Sequence, residues 1–185
     1  MDLVTLMSKV NKYKQIQENT INYRKAWKKE VRPLLLSTLK ETVKQIELVK
    51  ADVILRDNIE NLEAVILDLG KSSSGISENL EDSGVKRTMI KSNGSLIYQQ
   101  LFNGKIMVMI VSPNIEGYGQ PKPPATIEIL RPDELKPALI VRHMEALIID
   151  ITEWEDYDDE ETHNVIGFNP PIGYNTQTPE EQAQT

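Results

Sequence analysis

The chain has 185 residues, 39% of them hydrophobic, with 21 Lys and Arg against 28 Asp and Glu and a formal net charge of -7. That suits one domain, or one domain with an appendage, able to fold without a disulfide or a metal. It has no Cys and only two His, His143 and His163, which excludes disulfides, thiolate metal sites and cysteine nucleophiles and leaves little imidazole chemistry.

The charge is unevenly placed. Residues 1–50 hold eleven bases against five acids, +6; residues 51–142 are at -2; after Arg142 eleven acids follow with no Lys or Arg, -11. The N-terminus carries Asp2 and no long apolar run, unlike a signal peptide. No segment approaches the ~18 apolar residues of a membrane span, so the expected location is cytoplasmic, with no membrane partner.

Residues 1–50 read as two long amphipathic helices, forming a hairpin or an arm. In the first, Leu6, Val10, Tyr13, Ile16, Thr20, Tyr23 and Trp27 recur at steps of three and four. Pro33 fits the first turn of the second, where its missing N–H costs little. There Leu35, Leu39, Thr42, Ile46 and Val49 form a stripe widened by Leu36 and Val43. Short β-branched runs at 53–55 and 65–67 suggest strands, although a continuous helix over 33–69 has compatible periodicity. A Ser-rich loop is expected after Gly70.

Asn93-Gly94 and Asn103-Gly104 each lie between apolar segments, as two-residue hairpin turns do. Strands near 86–92, 95–102 and 105–112 therefore read as an antiparallel meander. Ile106 to Val111 is apolar on both faces, so it should be central and covered on both sides. A Gly/Pro-rich loop over 113–124 leads to a strand at 127–130. Pro132-Asp133-Glu134 opens a last helix, unless Pro137 shifts its start. Ile140, Met144, Leu147, Ile151 and Trp154 give that helix a stripe ending near Trp154. The expected class is α+β: two N-terminal helices, about five antiparallel strands, a C-terminal helix over 51–155, and an acidic Pro/Gln-rich tail over 156–185.

Several motifs resemble active sites and lack an essential part. Gly70-Lys71-Ser72 follows a strand as a P-loop does, but Val65 occupies the position of the first glycine. Ser74 stands where a nucleophile elbow over 70–74 requires its second glycine. The acidic run 156–163 departs from an EF-hand, with Glu161 at the glycine position and Gly167 at the terminal glutamate. Asn93-Gly94-Ser95 is formally a glycosylation sequon that a hairpin turn explains fully. His143 reads as a surface or boundary histidine. No catalytic, cofactor-binding or metal-ligating residue is assigned.

Tyr23 to Lys29 combines cations with aromatics, the composition of a nucleic-acid contact. Its aromatics lie on the apolar stripe and the net charge is negative, so nucleic acid is disfavoured. At the other end, Glu153, Glu155 and Asp156 sit at a helix C-terminus, which prefers cations by about 0.3–1 kcal/mol each. A basic surface against that end would relieve the conflict. The expected contact residues are Arg24, Lys25, Lys28, Lys29 and Arg32 at the head, and Glu155, Asp156, Asp158, Asp159, Phe168 and Tyr174 at the tail. The function expected is a non-enzymatic protein–protein interaction or assembly component, joined to a protein partner or to itself. A small-molecule-binding or regulatory α+β domain is the second expectation.

Overall fold

The computed structural model describes residues 3–79 and 85–156. The N-terminal segment is one continuous helix: α1 (Leu3–Ala26), a π-helical turn (Trp27–Val31) and α2 (Arg32–Gln45). The expected break at Arg32-Pro33 does not occur. Ala26, Val31 and Arg32 all keep right-handed helical dihedrals, and the Arg32 N–H reaches back five residues to the Trp27 carbonyl. Trp27, Val31, Leu35 and Leu39, all buried, are spaced every four residues. In a straight α-helix such a row drifts by about 40° per step. The wider π turn takes up part of that drift and keeps the row against the core. The helix ends after Gln45, with Glu47 in the left-handed region at φ 56°, so it does not run on to residue 69.

A five-stranded antiparallel sheet follows: β1 (Asp52–Arg56), β2 (Ala64–Asp68), then β5 (Ser95–Gln100), β6 (Ile106–Val111) and β8 (Ala125–Leu130), in the order β1-β2-β5-β6-β8. Between β2 and β5, β3 (Lys71–Asn79) and β4 (Lys86–Ser92) pair with each other and with β7 (Asn114–Ile115) as a second, three-stranded sheet. A 3₁₀ turn (Pro132–Glu134) precedes α3 (Pro137–Glu155). The class is α+β, with Pro132 opening the 3₁₀ turn and Pro137 opening α3.

The core lies between one face of the larger sheet and the helices. Val65, Leu67, Leu96, Tyr98, Ile106, Val108 and Ile110 alternate inward and meet Leu35 and Leu39 of α2 and Ile140, Met144 and Leu147 of α3. β6 is covered on this side only, for Met107, Met109 and Val111 on its other face are half-exposed.

Two further expectations are corrected. The segment after Gly70 is not a loop but β3, paired with β4 from Lys71↔Ser92 to Asn79↔Lys86. Its seryl groups act locally: Ser74 Oγ donates to the Met89 carbonyl at 2.7 Å and accepts from the Ile76 N–H, at a register shift between Ser73 and Ser77. Nor do β4 and β5 form a hairpin. Asn93-Gly94 carries the chain between sheets, with the Asn93 N–H on the Gly70 carbonyl and the Leu69 N–H on the Gly94 carbonyl. Asn103-Gly104 does turn β5 into β6. The Leu101–Lys105 bond makes that turn three residues long, with Gly104 left-handed at φ 78°.

Candidate interaction surface

Alpha-helix α1 leaves the body as an arm. No residue of it is buried, and residues 3–18 are all exposed. Leu3, Leu6, Met7, Val10, Tyr13, Ile16 and Ile21 therefore face solvent, Tyr13 at 61% exposure. The stripe is broad and interrupted by Lys9 and Gln17, so it is no strict coiled-coil seam. Composition makes the arm a weak autonomous helix, because Asn11, Asn19 and Asn22 and several β-branched residues lower its propensity. In proteins most helical stability comes from tertiary packing of an apolar face, which this arm lacks within its own chain.

The root of the arm is fixed by contrast. Tyr23 lies over the β5–β6 turn so closely that a Cβ on Gly104 would stand 2.6 Å from the Tyr23 Cβ. The Arg24 guanidinium donates to the Phe102 carbonyl, its Nη2 at 2.5 Å. Trp27 is fully buried and its indole Nε1 donates to Glu63 Oε2 at 3.0 Å. Arg32 Nη1 reaches the same oxygen at 3.1 Å, and Lys28 Nζ pairs with Glu60 at 2.7 Å. The Lys28 ammonium holds the exposed Glu60 carboxyl below the usual carboxylate range.

Of the five cations expected at the head, Arg24, Lys28 and Arg32 are thus engaged within the chain. Lys25 and Lys29 remain exposed without an ion pair among the described residues, as do Lys9, Lys12 and Lys14 farther out. Glu63 was not anticipated. It lies in a polar stretch, and only the fold shows that it is 4% exposed and serves two donors.

At the opposite end of the sheet, α3 terminates beside β4. Glu155 Oε1 accepts from Lys91 Nζ at 2.6 Å, and that ammonium lies 5.9 Å from the Trp154 ring centroid. The basic surface meeting the acidic helix end is therefore Lys91, not residues 24–32. The β5–β6 turn holds the arm, whereas Lys91 precedes the start of β5. The root of the arm and the end of α3 thus lie about 20 Å apart along a six-residue strand. Asp156, exposed, closes α3. Asp158, Asp159, Phe168 and Tyr174 lie outside the described residues.

His143 is not a surface histidine. It is 3% exposed, with Nδ1 3.1 Å from the Tyr98 hydroxyl and Nε2 3.2 Å from Glu128 Oε2. Glu128 accepts, which places a proton on Nε2 and makes Nδ1 the acceptor for Tyr98. Burial pushes the Tyr98 phenol far above its ordinary range, so it serves as a donor. A groove of about 240 Å³ lies on the outer sheet face between Ile59, Leu62, Ile66, Ile97 and Met109. Gln99, in its wall, is already spent on the Leu62 carbonyl. Among the described residues no three His, Asp or Glu side chains converge as metal ligands would, and no helix is long and apolar enough to cross a membrane.

No known protein family, curated protein or solved structure matches the chain.

Proposed function

We propose that this chain is a non-enzymatic assembly component whose N-terminal helix joins it to a second copy of itself. One observation carries the reading: a helix of 24 residues with eight large apolar side chains in the open buries none of them within its own chain. Such an arm gains no stability from its own body, while burial against another chain would remove about 25 cal/mol per Å² of apolar area from water. The rigid root supports the same reading. Trp27, Arg24 and Gly104 fix the direction in which the arm leaves, and a contact element held this way loses less entropy on binding.

Amide hydrogen exchange tests this directly. At high protein concentration the amides of residues 3–18 should be protected, and the protection should fade on dilution, while amides of β5 and β6 stay protected throughout. Arm exchange that is fast and independent of concentration contradicts the proposal.

A further inference from the structure

We infer that the partner of the arm is the acidic segment following α3 in the next copy, so that copies join head to tail. This rests on the preceding reading that the arm is the element of assembly. Charge selects the occupant. Lys9, Lys12 and Lys14 project from the exposed part of the arm with only Glu18 among them, so two arms side by side would bring like charges together. From Asp156 onward the chain has seven acids and no Lys or Arg, its densest complementary charge.

Reach keeps the acids next to α3 from the arm of their own chain, since 158 to 161 lie within about 18 Å of fully extended chain from Asp156. Glu155 and Asp156 leave the body beside Lys91, at the far end of the sheet from Tyr23 and Gly104. The root cations Arg24, Lys28 and Arg32 already have partners in their own chain. The described chain ends at Asp156, at the end opposite the arm, and 29 further residues follow it in the sequence. A link from the acidic end of one body to the basic arm of another is heterologous. It therefore repeats, closing into a ring or extending as a filament according to its rotation. The acids would also complete what Lys91 begins, a cationic setting for a helix end that disfavours negative charge.

The test uses two full-length variants, neither altering a buried position among the described residues. One carries K9E, K12E and K14E; the other carries D156K, D158K and D159K. Sedimentation velocity at low salt should show wild-type chain above monomer mass and each variant alone associating at least about tenfold more weakly. An equimolar mixture of the two should recover the wild-type mass, because reversed arm then meets reversed tail and native arm meets native tail. If the tail variant alone assembles like wild type, or the mixture is no larger than its components, the head-to-tail pairing is wrong while assembly through the arm stands. A wild-type chain that stays monomeric at every concentration defeats both.

Discussion

Three buried polar residues separate the demands of stability from those of contact. Glu63 serves Trp27 and Arg32 from one carboxylate oxygen. Glu63→Ala would orphan the indole N–H and loosen the half-exposed guanidinium, at a cost of about 1–3 kcal/mol in chemical denaturation. Gln100 is fully buried and neither side-chain amide atom has a partner. Replacing it with Met, of similar shape, should raise the melting temperature by relieving that desolvation. Tyr98 adds a pH signature. Its folded phenol remains protonated, whereas the unfolded one ionises near pH 10. The stabilising effect is therefore complete below about pH 10 and declines as pH rises above it. Tyr98→Phe should flatten the alkaline part of a stability–pH curve, while costing about 1 kcal/mol at neutral pH through the lost His143 bond.

At the scale of elements, strands that alternate or run apolar were legible, since Val53 to Leu55, Val65 to Leu67 and Ile106 to Val111 all form ladders. β3 was not, because a strand with one face exposed and the other only partly covered leaves no apolar rhythm, only Ile76 among seryl groups. The partner of β4 was misjudged for a related reason. Asn93-Gly94 specifies a turn but not which strand the chain pairs with after it. The helix stripes were legible as spacing; which of their residues meet the body was not. Trp27 meets the core and Leu6, Val10, Tyr13 and Ile16 do not, a difference that depends on where the sheet ends. The independence of the arm predicts the outcome of Asn11→Pro. Breaking α1 there should leave the unfolding free energy of dilute protein within about 0.5 kcal/mol of wild type, because no buried contact is lost. It should abolish association.

For the whole molecule, the net charge of -7 describes little until it is divided. The +6 head and -11 tail were visible in the sequence. The placement of the arm and of the α3 C-terminus at opposite ends of one sheet was not, because it depends on α3 running from the root of the arm to Lys91. The buried His143, flanked by Tyr98 and Glu128, was equally hidden: its neighbours in sequence are not its neighbours in space. What the fold adds is polarity, with a basic arm aimed from one end and Glu155 and Asp156 closing α3 at the other. The most direct measurement is the native mass of the full chain by sedimentation equilibrium, beside a variant with Leu6, Val10, Tyr13 and Ile16 changed to Ser. The account predicts a wild-type mass that rises with concentration and falls in about 1 M salt, where screening shortens to about 3 Å, and a variant that remains monomeric. Identical masses for the two chains at every concentration would contradict it.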